Sequence, residues 1–222
     1  MGRTREYEKQ SKDNLNQEYN ILTISTTDKY YEEKSKEYFQ RTVGVDISHL
    51  YSNFLELLPK DAKILDAGAG SGRDLLEFSK LGYDVIGMDS SSSLARLAEE
   101  YSGVRVIVSK FENMSFQEAF NGIWACASLL HSEKQLMTKI LKNFHLALVL
   151  DGILFISVRE GKGRMCAEDG RIYTFYSLQE ISELIENAEF EIISSWKTKD
   201  VIEGRDELVW INILARKTTI KL

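Results

Sequence analysis

The sequence predicts an α/β fold: a seven-stranded, mostly parallel, doubly wound sheet with an antiparallel last strand, helices on both faces and a helical lid at the N-terminus. Three observations predict it. Short apolar runs alternate with segments of helical period from Lys63 onward, the pattern of a parallel sheet covered on both sides. A glycine-rich turn, Gly68 to Gly72, separates the first run from the first helix that follows. Finally, the last two strands are joined by a short polar turn, Val201 to Asp206, with no room for a crossover helix, so they must run antiparallel. At 222 residues and 43% hydrophobic the chain reads as one domain with short decorations.

Residues 1–26 are rich in Lys, Glu, Asn, Gln and Ser and read as a polar arm. A helix is expected from Asp28 to Gln40, with Tyr31, Ser35 and Tyr38 at helical spacing, and a second from Asp46 to Leu58, striped by Ile47, Leu50, Phe54 and Leu57. Pro59, the single proline, ends the second helix, and residues 60–222 form the main unit. Its first strand starts at Lys63. Then come a helix marked by Leu75, Leu76, Phe78 and Leu81, a strand Asp84–Met88, a helix Ser92–Tyr101 and a strand Val104–Val108. A fourth strand spans Gly122–Ala127. Ser132 with Gln135, and Ser177 with Glu180, carry the capping-box spacing of helix starts. Between those helices lies a fifth strand, Ile153–Val158, followed by a polar loop from Arg159 to Arg171; the closing strands fall near 190–198 and 207–215.

A net charge of −6 argues against binding DNA by broad phosphate neutralisation. Cys126 and Cys166 lack metal-ligand spacing and are expected to be reduced thiols. No apolar run approaches the roughly 20 residues of a membrane span, and the first residues lack a signal-peptide core. A cytoplasmic location is the expectation; the oligomeric state is not legible.

Gly68, Gly70 and Gly72 follow a strand and open a helix, where missing Cβ atoms let the backbone turn tightly and approach a ligand. A plain turn of no function has the same composition. Dinucleotide folds place pyrophosphate on such a helix start, but their G-x-G-x-x-G spacing would require glycine where this chain has Arg73. Asp89 ends the second strand 21 residues after Gly68, about the distance at which a carboxylate meets an adenosine ribose; as a bland alternative it caps the next helix. The pattern Asp66-x-Gly68-x-Gly70-x-Gly72, with Asp89 and the closing hairpin, resembles motif I and the sheet of class I S-adenosylmethionine-dependent methyltransferases. The resemblance covers residues from about 45 to 216. Among these the chain is most similar to stand-alone enzymes for small molecules, such as the quinone-biosynthesis and tellurite-resistance groups.

The resemblance implies S-adenosylmethionine as cofactor, S-adenosylhomocysteine as product and a small-molecule acceptor. It implies cofactor contacts from Asp66, Gly68, Ala69, Gly70, Ser71 and Arg73 in the turn, from Asp89 and Ser90 after the second strand, and from Ala127 and Ser128 after the fourth. Residues 27–59 would cap the site, with Tyr38 and Thr42 near the sulfonium and Tyr31 facing the acceptor. The family's usual acidic residue after the third strand is replaced by Lys110. Phe111 is then free to stack on adenine and Glu112 to read its edge, or Phe111 belongs to the core and Glu112 to solvent. His131 is the candidate general base, or a plain polar residue at a helix start. Arg159, Lys162, Arg164 and Arg171 make the loop after the fifth strand basic, so that Arg159, Arg164, Arg171 and the nearby Tyr173 are candidate acceptor contacts; a solvated loop is the alternative.

Methyl transfer from a sulfonium is an in-line displacement that needs alignment and exclusion of water more than a dedicated base. The lack of a Ser-His-Asp set therefore costs the reading nothing. No Asp/Asn-Pro-Pro-Tyr/Phe motif follows the fourth strand, which disfavours exocyclic base nitrogens. Cys126 lies inside a strand without a neighbouring proline and reads as core. The rivals are an RNA or protein methyltransferase, a nicotinamide-dependent oxidoreductase, and a silent module that binds the cofactor only.

Overall fold

The computed structural model describes residues 25–219 apart from 203 and 206. The expected arm, 1–26, lies outside them except for its last two positions. Helices α1 (Thr26–Glu33), α2 (Ser35–Thr42) and α3 (Ser48–Leu55) precede β1 (Lys63–Ala67). The alternation continues with α4 (Arg73–Lys80), β2 (Asp84–Asp89), α5 (Ser92–Ser102), β3 (Val106–Val108), β4 (Phe120–Cys126), α6 (Lys134–Ala147) and β5 (Leu148–Arg159). After a two-stranded ribbon, β6 (Arg164–Cys166) and β7 (Ile172–Thr174), come α7 (Leu178–Glu186), β8 (Phe190–Lys199) and β9 (Val209–Lys217).

The seven-stranded sheet has the order β3-β2-β1-β4-β5-β9-β8. β9 is antiparallel to both β5 and β8, as its short connection requires; the pairs among β1 to β5 are parallel. Alternate residues of each strand feed opposite faces. Ile123, Ala125, Leu154 and Ile156 pack under α6 and α7, against Ile140, Phe144 and Ile181. Trp124 and Phe155 stack at 3.9 Å on the other face, beneath Phe54 of α3 and Phe78 of α4. At about 25 cal/mol per Å² such fully buried aromatics dominate the core.

Four expectations are corrected. The single helix from Asp28 to Gln40 is two, broken at Lys34 (φ −107°, ψ 19°). Seven residues along one helix separate two side chains by about 10 Å, whereas the break brings the rings of Tyr31 and Tyr38 to 5.0 Å. No capping box forms at Ser132; Glu133 is the N-cap of α6 without a side-chain bond, and the Ser132 carbonyl accepts from Thr174 Oγ1 instead. Ser177 and Glu180 do form theirs. β5 starts at Leu148, since Asp151 (φ +62°) and Gly152 form a register shift rather than a boundary. The polar stretch 159–171 is not all loop: Arg159 ends β5 and Arg164–Cys166 pairs with β7.

Candidate active site

The glycine-rich turn is shaped by two collisions that any side chain would cause. Gly68 (φ +94°) presses against Ser128, and a Cβ there would run into that side chain. Gly72 (φ +77°) starts α4, and its Cβ would lie 2.9 Å from the backbone of Ala98 in α5. The close-packing glycine sought at Arg73 is therefore supplied one residue earlier. Arg73 is committed elsewhere: its Nε and Nη2 donate to Asp74 at 2.7 and 3.1 Å. Asp74 also accepts from Tyr51 Oη (2.7 Å) and Trp124 Nε1 (2.9 Å), a satisfied buried cluster under the turn.

Asp89 holds the turn in place. Its Oδ2 accepts from Gly70 N and its Oδ1 from Ser91 N, both at 2.9 Å, which ties the end of β2 to the middle of the glycine loop. Ser91, rather than Asp89, caps α5 by accepting from Leu94 N. Burial pushes the Asp89 carboxyl up against these bonds. Asp66 is buried with Oδ2 unpartnered; burial, then the charge of Asp74, drives its carboxyl well above the usual range. Ser128 Oγ is likewise buried and unpartnered.

Two cavities meet at this turn. One, about 430 Å³, runs from Asp89 and Ser90 past Gly68 and Gly70 to Phe111, Glu112 and Ser128. The other, about 160 Å³, is walled by Ala69, Ser71, Arg73, Thr42, Arg159, Arg171, Tyr173 and Trp210. Tyr31, Tyr38, Gly68, Gly70, Ala127 and His131 border both. Phe111 takes a double part: its ring meets Phe144 edge-on at 5.9 Å while facing the larger cavity. Arg164 borders that cavity too, away from Arg159 and Arg171, and is exposed beside Glu133 at 3.5 Å.

Helix α1 is fastened across this junction by residues that the sequence reading passed over. Thr27 Oγ1 accepts from Ile172 N at 2.9 Å. Asp28 pairs with Lys110 at 2.8 Å, so the residue that breaks the family pattern strikes a salt bridge to the covering helix. Glu32 accepts from the hydroxyls of Ser91, Ser92 and Ser93 and from Ser93 N, at 2.7 to 3.2 Å. Burial pushes the Glu32 carboxyl up, but these bonds outweigh it and hold it at about 2. The run of four serines at 90–93 was the available signal.

His131 is positioned by contacts on both ring nitrogens. Nδ1 lies 2.7 Å from the Ile172 carbonyl, which can only accept, so Nδ1 carries the proton and Nε2 accepts from Tyr31 Oη at 2.6 Å. Burial lowers its pKa to about 4, and the ring is neutral at neutral pH. Burial, reinforced by the charge of Asp89, pushes Tyr38 up to about 12. Cys126 borders the smaller cavity, with burial pushing its thiol up, the state of a core thiol rather than a nucleophile.

These features fit the cofactor expected from the sequence. A cationic sulfonium suits the two tyrosine faces of Tyr31 and Tyr38 at the junction, and the loop stripped of Cβ atoms lets a ligand approach its backbone; Asp66, expected among the cofactor contacts, borders neither cavity. No helix of the described residues is long and apolar enough to cross a membrane.

Comparison with known proteins agrees. Residues 39–195 match the family described as a methyltransferase domain. No protein with a curated description matches the sequence. Among solved structures, the 1,6-didemethyltoxoflavin-N1-methyltransferase of Burkholderia thailandensis, with bound 1,6-didemethyltoxoflavin and S-adenosylhomocysteine, is 25% identical with a TM-score of 0.68, over 86% of this chain and 85% of that one. An S-adenosylmethionine-dependent methyltransferase from Methanosarcina mazei is 22% identical, TM-score 0.70, over 78% and 99%. The fold is shared with the [4+2]-cyclase SpnF, at 15% identity and TM-score 0.68 over 89% and 98%. With the match spanning most of the sheet and the loop geometry in place, the chain belongs to the methyltransferase-domain family and is a class I enzyme dependent on S-adenosylmethionine.

Proposed function

We propose that the protein transfers a methyl group from S-adenosylmethionine to a small-molecule acceptor held in the 160 Å³ chamber, the cofactor occupying the larger cavity. The observation that carries this reading is the shared wall: Tyr31, Tyr38, Gly68, Gly70, Ala127 and His131 face both spaces, so that groups placed on either side meet there. The cofactor supplies an electrophilic methyl carbon on a sulfonium that leaves as a neutral thioether. The chain's residues hold and shield. Asp89 and Ser90 take the ribose side, Phe111 and Glu112 the adenine side, and Ser128 and the glycine turn the methionine side. Tyr31 and Tyr38 close over the junction and exclude water.

An acceptor O–H or N–H must lose a proton as its new bond forms. Nε2 of the neutral His131 is the basic atom at the junction; a proton reaches it by way of the Tyr31 hydroxyl, which donates to it. Small-molecule use is also supported by the neighbour 1,6-didemethyltoxoflavin-N1-methyltransferase, solved with bound 1,6-didemethyltoxoflavin and S-adenosylhomocysteine.

The test is calorimetric titration of S-adenosylhomocysteine, followed by transfer of radiolabelled methyl groups to cell extract separated by size. Label in the small-molecule fraction is expected. Label only in RNA or protein refutes the acceptor class, and binding without any label points to a silent module.

A further inference from the structure

The two cavities carry opposite charge. Among the described residues the larger one is bordered by the carboxylates of Asp28, Asp89, Glu112 and Glu133 against Lys110 and Arg164. The smaller is bordered by Arg41, Arg73, Arg159, Arg171, Lys199 and Arg205 against Asp74 and Asp200. A chain with a net charge of −6 thus gathers cations around one small space, where a low dielectric makes each count for more.

Two of these cations are answered by carboxylates. Arg73 is held by Asp74, and Arg171 by Asp169 through two bonds, at 3.0 and 2.6 Å. Arg159 is not. It is 8% exposed, its Nε is buried without a hydrogen-bond partner, and no carboxylate of the described residues lies within ion-pair distance. The nearby Asp200 is already occupied, accepting from Ile202 N and Trp210 Nε1. Burying a guanidinium without counter-charge is costly unless a ligand completes it. What Arg159 does have is aromatic neighbours: its Cζ stands 4.4 Å from the Tyr173 ring centre and 5.6 Å from that of Trp210. These rings stiffen the guanidinium and line the same chamber.

We propose that the chamber takes a small aromatic carboxylic acid, its carboxylate gripped by Arg159 and its ring packed along Tyr173 and Trp210. This rests on the chamber being the acceptor site of the methyltransferase. Arg159 sits at the end of β5, so it is fixed by the sheet rather than by the ribbon, and a fork anchored there turns the rest of the acceptor toward the wall shared with the cofactor.

Protein saturated with S-adenosylhomocysteine is titrated with salicylate, anthranilate and 4-hydroxybenzoate, and with the carboxamide of each. At least one acid is expected to bind about tenfold tighter than its amide or better. Arg159→Gln should erase that preference and Arg159→Lys keep part of it, with S-adenosylhomocysteine affinity unchanged in both. Equal binding of acid and amide, no binding of any acid, or an undiminished preference in Arg159→Gln overturns the proposal. The wild-type comparison of acid with amide decides the matter even if the variants do not fold. Failure of the wild type to bind S-adenosylhomocysteine strikes instead at the assignment of the cavities.

Discussion

Tyr31 Oη donates a 2.6 Å hydrogen bond to Nε2 of His131, 100 positions further along the chain, while Nδ1 of the same ring donates to the Ile172 carbonyl. One imidazole thereby joins the covering helix α1 to the ribbon strand β7. The bond from Tyr31 requires the neutral ring, since a doubly protonated imidazole has no acceptor left for it, whereas the bond to Ile172 survives protonation.

His131 should therefore titrate near 4, not near its ordinary 6.5. Burial is the main cause, with the positive charges of Arg171 and Arg159 adding to it and Asp169 and the Ile172 bond opposing. Because the folded value is the lower one, the unfolded chain binds more protons between these limits, and stability falls as pH drops from about 6.5 toward 4. Nitrogen chemical shifts of the ring across pH 3 to 8 check this; a midpoint above 6 would contradict the bonding.

Glu32 extends the acid sensitivity downward. Its folded value of about 2 lies below the ordinary 4.5, so its contribution is complete above 4.5 and lost as pH falls toward 2. Amide exchange in α1 should accelerate over this interval in the wild type. In Glu32→Gln it should be fast already at neutral pH, without further response.

Asp89→Ala removes the carboxylate that receives Gly70 N and Ser91 N. We expect S-adenosylhomocysteine affinity to drop by about tenfold or more, since hydrogen bonds to charged groups are worth about 1.5–3 kcal/mol. Asp89→Asn, which keeps one acceptor oxygen, should lose less. Calorimetry distinguishes the two.

Gly72→Ala forces a Cβ to within 2.9 Å of the Ala98 backbone at φ +77°. A destabilisation of about 1–3 kcal/mol is expected, which lowers Tm by several degrees in a chain of this size. Thermal unfolding measures it. Gly82→Ala, at φ +91° but with open space around it, isolates the conformational share of that cost.

The sheet was legible because its strands are apolar runs broken by glycine and polar turns, and periodicity reports burial directly. The glycine turn was legible for a related reason: Gly68, Gly72 and Asp89 are dictated by backbone conformation and packing, which leave a mark at fixed spacing. Other features leave no such mark. The break at Lys34 lets Tyr31 and Tyr38 converge on one junction, a tertiary arrangement that local helical spacing does not signal. Ser132 has the right residue three positions on for a capping box, but its N–H, which Gln135 would have to receive, is already donated to the Leu129 carbonyl. Arg159, Arg164 and Arg171 looked alike as basic residues of one loop; a strand end, a ribbon and an aspartate two residues away give them different surroundings. The pairing of Lys110 with Asp28 crosses 82 positions and has no local signature.

Helix α1 borders both cavities through Tyr31 and is fastened by polar contacts at Thr27, Asp28, Tyr31 and Glu32. A single door thus serves two rooms. Whichever ligand arrives first meets the entropy of ordering that helix, and the second finds the work done, so each should tighten the other's binding by the same factor. On the proposed assignment of the cavities the same fastening would delay departure, and loosening any of the four polar latches should speed product release.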